Sequence, residues 1–125
     1  MKIQKFENIE VWQLARAYVK EIYVQTGKSN FSKDYGLRDQ LRRASVSIMA
    51  NIAEGFERKT KNEFIHFLFI SKGSCGESRS HLYVALDLGY LNKNDFNHLL
   101  NQAEKISKSL AGFIKYLRND KYPYE

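Results

Sequence analysis

The stretch 40–56, QLRRASVSIMANIAEGF, decides the fold. Placed on a helix at about 100° per residue, Leu37, Leu41, Ala44, Ile48 and Ile52 fall in one stripe. Val46, Met49, Ala50 and Ala53 gather in a second apolar patch on roughly the opposite side, with Arg42 at its flank and Arg43 projecting beyond it. A helix in a small bundle needs one apolar stripe. Two stripes predict burial from two sides, one by the helix's own subunit and one by a second copy of the chain.

Upstream, Trp12, Ala15, Val19 and Ile22 recur at three and four, which predicts a first helix over about 8–26. Asn8 suits its N-cap, Glu10 its first turn, and Gly27 a left-handed position at its end. The polar connection 28–36 carries Phe31 and Tyr35, expected to tuck in over the core. The deciding helix then runs over about 37–56, with a start one turn earlier left open. Residues 1–7 read as an extended lead.

Downstream, Thr60 and Glu63 have the spacing of a capping box for a third helix over about 61–89. Its inner face carries Phe64, Phe67, Leu68, Cys75, Leu82, Ala85 and Leu86. Ser71, Ser74 and Ser78 narrow that face to small side chains, which admits a close helix or a bulky ring. Gly73 and Gly76 each cost about 1 kcal/mol of helix propensity and are expected where another backbone comes near. Ile65, Phe69 and Tyr83 form a second apolar edge, and Ile70, Val84 and Leu88 a third. Apolarity on nearly all sides over 64–70 again predicts burial beyond one subunit.

Gly89 closes this helix, and Asn92 with Asp95 caps a fourth over about 93–119. The fourth helix carries a seam of Phe96, Leu99, Ala103, Ile106, Leu110, Phe113 and Leu117. The end, KYPYE, reads as a frayed tail. Four long helices with short links predict an all-α protein: one domain over 1–125, folded as an antiparallel up-down-up-down four-helix bundle.

The composition excludes several function classes. The 125 residues are 43% hydrophobic and 27% charged, as in an ordinary globular domain. No apolar run approaches the ~20 residues of a membrane span, and the first residues lack the pattern of a signal peptide. The single cysteine, Cys75, allows neither an internal disulfide nor a cysteine metal cluster. A cytoplasmic protein with no cofactor is therefore expected.

Cys75 lies in the apolar stripe without a basic residue beside it in sequence, and reads as a buried structural thiol. Glu63-x-x-His66 and Asp95-x-x-His98 have the form of di-iron bundle pairs. They begin consecutive antiparallel helices, however, so they should stand about 30 Å apart. Glu77 and His81 read as a surface pair at i, i+4. Asn51 is expected to satisfy loop or helix-end groups, and Glu54 to pair with a cation. No serine sits in a nucleophile elbow. No catalytic and no metal site is expected, and the chain reads as a non-enzyme.

The charge is more informative. The net charge is +6 and the pI about 9.4, in the range of nucleic-acid-binding domains when the charge clusters. Arg38, Arg42 and Arg43 crowd the start of the second helix, and Arg58, Lys59 and Lys61 mark its far end. Without aromatic interleaving or a helix-turn-helix pattern, these six predict phosphate contact with DNA or RNA rather than base readout. A protein-interaction adaptor without nucleic acid is the alternative. Val46, Met49, Ala50, Ala53, Ile65 and Phe69 are the expected interface between copies.

Several runs carry a family resemblance: Val11-Trp12-Gln13-x-Ala15, Tyr35-Gly36-Leu37-x-x-Gln40-Leu41-Arg42-Arg43-Ala44, Ser47-Ile48-x-Ala50-Asn51-Ile52-Ala53-Glu54-Gly55, Phe64-x-x-Phe67-Leu68 with Gly73-Ser74, and Leu88-Gly89-Tyr90-Leu91. Over roughly residues 6–118 the chain resembles the bacterial four-helix bundle, or 23S rRNA intervening-sequence, proteins. The resemblance implies a helical bundle assembled as a ring-like homopentamer. It also implies kinship with the accessory protein of diversity-generating retroelements, which binds nucleic acid and a reverse transcriptase, so a reverse transcriptase is a further candidate partner. Two positions depart from the family pattern. Met49 and Ser32 stand where proline is usual, and Met49 keeps its amide donor.

Overall fold

The computed structural model describes residues 3–119. Four helices follow one another: α1 (Glu10–Thr26), α2 (Tyr35–Phe56), α3 (Lys61–Asp87) and α4 (Lys93–Asn119). Each packs on its sequence neighbours, and α1 closes the section against α4. The links are short, so consecutive helices run antiparallel and the bundle is up-down-up-down. The starts of α1 and α3 and the ends of α2 and α4 share one end of the bundle. The tail 121–125 lies outside the described residues.

The α2 stripe is buried as its periodicity predicts, through Leu41, Ala44, Ile48 and Ile52. Ser45 and Gly55 join the buried set, and Leu37 is half-buried. The helix begins two residues before Leu37, at Tyr35, because Asp34 caps it, its Oδ1 accepting the Leu37 N–H at 3.1 Å. The other carboxylate oxygen of Asp34 accepts from the Tyr90 hydroxyl at 2.9 Å. The Tyr90 ring stacks on buried Phe31 with centroids 5.0 Å apart. One aspartate thus joins the α1–α2 link to the α3–α4 link. With an amide at Met49, α2 is unbroken over its whole length.

The serine waist of α3 does what its small volume allows. Ser71 Oγ donates to the Ile48 carbonyl at 2.7 Å, and Ser47 and Ser74 share a hydrogen bond at 2.9 Å. Both contacts draw α2 against α3. Tyr18 of α1 crosses the core diagonally to place its hydroxyl 3.0 Å from Ser78 Oγ.

That crossing fixes the rotation of α1, which differs from the expected one by about one residue. Val11, Ala15, Tyr18 and Ile22 face inward, while Trp12 and Val19 sit half-buried at the shoulder. A 3-10 turn over Phe6–Asn8 precedes α1, and Trp12 packs edge-on against Phe6 at 5.2 Å. This turn moves the helix start to Glu10 with Ile9 at its cap.

Gly27 has φ −89°, not a left-handed conformation; the left-handed residue of the link is Ser29, at φ 44°. The end of α1 is stabilised instead by Thr26, whose hydroxyl donates to the Ile22 carbonyl at 2.7 Å. Gly89 does take the left-handed conformation, φ +77°, that ends α3. The close approach expected at Gly73 and Gly76 is absent: a Cβ at Gly73 would meet nothing within 4 Å, and one at Gly76 only the Arg79 guanidinium. The approach is at Gly55, where a Cβ would stand 2.6 Å from that of Phe67.

The caps of α3 and α4 follow the expected spacing. Thr60 Oγ1 accepts the Glu63 N–H at 3.1 Å, and Asn92 Oδ1 accepts that of Asp95 at 2.7 Å. The α4 seam is buried at Phe96, Leu99, Ala103, Ile106, Leu110 and Leu117. Near its end Ile114 takes the inner position, and half-buried Phe113 turns its ring edge-on to Phe64 at 5.5 Å.

Candidate nucleic-acid interface

The first turns of α2 gather three of the six expected cations. Arg38 Nε donates to Asp39 Oδ1 at 2.9 Å, and its Nη1 to the Ser32 carbonyl at 3.0 Å. Ser32 is one of the positions where the family pattern has proline, and its hydroxyl donates to the Ser29 carbonyl at 2.6 Å. Arg42 Nε donates to Thr26 Oγ1 at 2.8 Å. Arg43 is exposed and makes no ion pair among the described residues. The Arg38 hydrogen bond, with the fields of Arg43 and Arg42, holds the Asp39 carboxyl below the usual carboxylate range.

Two of these guanidinium groups also lie on rings. Arg42 stands 4.4 Å from the Tyr23 centroid, and Arg38 4.7 Å from that of Tyr35. Tyr35 was expected over the core but is 64% exposed; Phe31 alone fills that position. Tyr23, on α1, is 43% exposed. With Arg42, Arg43, Asp39 and Val46 it lines a shallow groove between α1 and α2. Sequence reading missed both rings. Tyr35 is separated from Arg38 by three residues, the spacing of helical neighbours, while the contact of Tyr23 with Arg42 needs the α1–α2 packing.

The other three cations lie elsewhere. Residues 38 and 58 are about 30 Å apart along α2 at ~1.5 Å per residue. Arg58 bridges Glu54 at 2.9 Å and Glu63 at 3.9 Å and lies 4.8 Å from the Phe67 centroid. Lys59 is exposed and Lys61 half-buried. The far-end cluster is therefore largely compensated by its own carboxylates.

The six expected interface residues do not form one patch. Ala50 and Val46 are exposed and Met49 and Ala53 half-buried, on the α2 side of the bundle. Ile65 is buried in the subunit's own core. Phe69 lies across the bundle in a groove between α3 and α4, with Arg118 5.0 Å from its ring. An all-round apolar stretch on α3 serves both core and surface, which periodicity alone does not separate.

The remaining candidates have local partners. Cys75 is fully buried and its thiol donates to the Ala103 carbonyl at 3.1 Å. Burial pushes its pKa up to about 11 despite Arg79 and Lys72 nearby. Asn51 bonds one turn back, to the carbonyl and hydroxyl of Ser47, rather than to a loop or helix end. His81 meets Glu77 at 3.3 Å. The pairs Glu63/His66 and Asp95/His98 stand at opposite ends of the bundle. Among the described residues no three His, Cys, Asp or Glu side chains gather as a metal site. No helix among them is long and apolar enough to cross a membrane.

A family model described as 23S rRNA-intervening sequence protein matches residues 7–112. The chain belongs to that family. The chain is also similar to a crystal structure described as a protein with unknown function from the S23 ribosomal protein family, from Bacteroides thetaiotaomicron VPI-5482. The two share 24% identity over 84% of this chain and 98% of that one, with a TM-score of 0.77. That likeness is one of fold. No curated protein matches the chain.

Proposed function

We propose that the protein is a non-enzymatic homo-oligomeric module that binds nucleic acid without sequence preference, through phosphate contacts at the first turns of α2. The observation that carries this reading is the grouping of Arg38, Arg42 and Arg43 around the carboxylate of Asp39. Arginine offers a planar fork suited to phosphate oxygens, and Arg43 has its fork free of ion pairs among the described residues. The net charge of +6 favours polyanions generally. Repetition of the site around an oligomer would let several weak contacts act together.

What supports assembly is the exposed apolar surface on both sides of the bundle, Val46 with Ala50 on one and Phe69 on the other. Two unlike patches on opposite sides suit a head-to-tail ring better than a two-fold dimer. Five is the subunit number that the family resemblance implies.

The test is anisotropy titration of several unrelated DNA and RNA strands at stepped salt. Binding should weaken steeply as salt rises, with a log–log slope of about −0.9 per phosphate neutralised on duplex DNA. Arg43→Gln should lower affinity about equally for all sequences and make that slope shallower. Arg42 is a poor probe because its Nε is tied to Thr26. An absence of binding at low salt, or a preference for one sequence that persists at high salt, would overturn the reading. The adaptor reading draws on Ile70, Val84 and Leu88, a row of exposed apolar side chains along α3. Specific capture of a protein through that row, without nucleic-acid binding, would favour it.

A further inference from the structure

Resting on that phosphate reading, we propose that the preferred ligand is a single strand, with Tyr23 and Tyr35 stacking unpaired bases beside the arginines that hold the phosphates. Four side chains carry the inference. Tyr35, Arg38 and Arg42 follow one another along α2 at steps of three and four, so they are neighbours on one side of the helix. Tyr23 reaches the last of them from α1. Each guanidinium lies against a tyrosine ring, 4.7 Å from the centroid at Tyr35 and 4.4 Å at Tyr23.

Such a pairing has two consequences. The ring is held by a cation–π contact, so it loses less side-chain freedom when a base settles on it. Arg38 spends Nε on Asp39 and Nη1 on the Ser32 carbonyl, and Arg42 spends Nε on Thr26, so phosphate would be met by their remaining N–H groups and by Arg43. Tyr35 is 64% exposed and Tyr23 43%, so much of each ring is open.

A duplex has its base faces occupied by stacking. An open ring therefore gains from an unpaired base and little from a paired one. The groove between α3 and α4 has a single ring, Phe69, against Arg118. At the far end of α2, Arg58 is shared between Glu54 and Glu63. The start of α2 differs in placing two arginine–tyrosine pairs about one helical turn apart, with the unpaired cation Arg43 beside them.

The probes are three oligonucleotides of equal length: an oligo(dT) strand, an abasic strand with the same phosphates, and a duplex. Wild type should bind oligo(dT) about tenfold or more tighter than the abasic strand, the effect of one stacked base. Tyr35→Ala, at a side chain mostly in solvent, should remove most of that advantage and leave the abasic and duplex affinities unchanged. Tyr35→Phe should restore it. Tyr23→Ala should act in the same direction.

Equal binding of the abasic strand and oligo(dT) would overturn the single-strand proposal while leaving the phosphate reading standing. So would parallel losses on all three probes in Tyr35→Ala. Failure of all three probes to bind wild type at low salt would remove the phosphate reading, and this proposal with it.

Discussion

Gly55 shows how a single residue can set the distance between two helices. A methyl group there would stand 2.6 Å from Phe67 Cβ, closer than packed atoms tolerate, and a tight 3.1 Å from the Phe64 ring. Gly55→Ala should therefore destabilise the fold by about 1–3 kcal/mol, despite the better helix propensity of alanine. Urea denaturation of the pair would measure it, and an unchanged midpoint would mean that α2 and α3 do not meet as described. Cys75 gives the residue scale a pH dependence. The unfolded chain releases the thiol proton near pH 9, whereas the buried thiol keeps it to about pH 11. Its contribution to stability is whole below about pH 9 and is lost as pH rises through about 11, at about 1.4 kcal/mol per pH unit. Buried Tyr18, pushed upward by desolvation, adds to the loss from its own higher range. Denaturation between pH 8 and pH 11 should show falling stability, and Cys75→Ala should flatten part of that fall.

At the scale of elements, α4 is the helix whose sequence comes nearest to specifying its packing. Leu110 is fully buried at the middle of its seam. Leu110→Ala should cost on the order of 2–5 kcal/mol, a large share of the ~5–15 kcal/mol that a small domain holds. A loss below about 0.5 kcal/mol, the size of a surface effect, would show that the register is wrong. Six of the seven seam positions read from α4 are buried, because one strong stripe on an otherwise polar helix admits one rotation. In α1 the stripe was broader, with Trp12 and Val19 next to Val11 and Tyr18. Its rotation was decided by where the Tyr18 ring could enter, and the Ser78 waist on another helix provides that space. The glycines of α3 misled for a related reason. Propensity flags a glycine as costly, but whether something lies against it depends on the facing helix. At Gly73 the space is open, and at Gly55 it is filled.

For the whole molecule, the expectation is a well-defined oligomer. Val46, Ala50, Phe69 and Val84 leave apolar surface uncovered on a single copy, and such surface promotes association. Light scattering at micromolar concentration should give a multiple of the 14.6 kDa chain mass, and a monodisperse monomer would refute it. The candidate site was half legible at this scale. Arg38, Arg42 and Arg43 are close in sequence on one helix, so their clustering could be read directly. Tyr23 could not be attached to them, because its contact with Arg42 joins two helices that the chain separates, whereas the Glu54–Arg58 pair, four residues apart, was open to reading.

What the sequence by itself determined was everything carried by short-range periodicity. That includes four helices, their capping at Thr60 and Asn92, the stop at Gly89, and a bundle with alternating direction. These depend on the 3.6-residue repeat and on neighbours within a turn, which the order of residues states outright. Only the tertiary structure decided how α1 is rotated, which glycine lies under a neighbouring helix, and which aromatic rings stand beside the arginines of α2. Those depend on the space left between helices, and that space exists only once all four have packed.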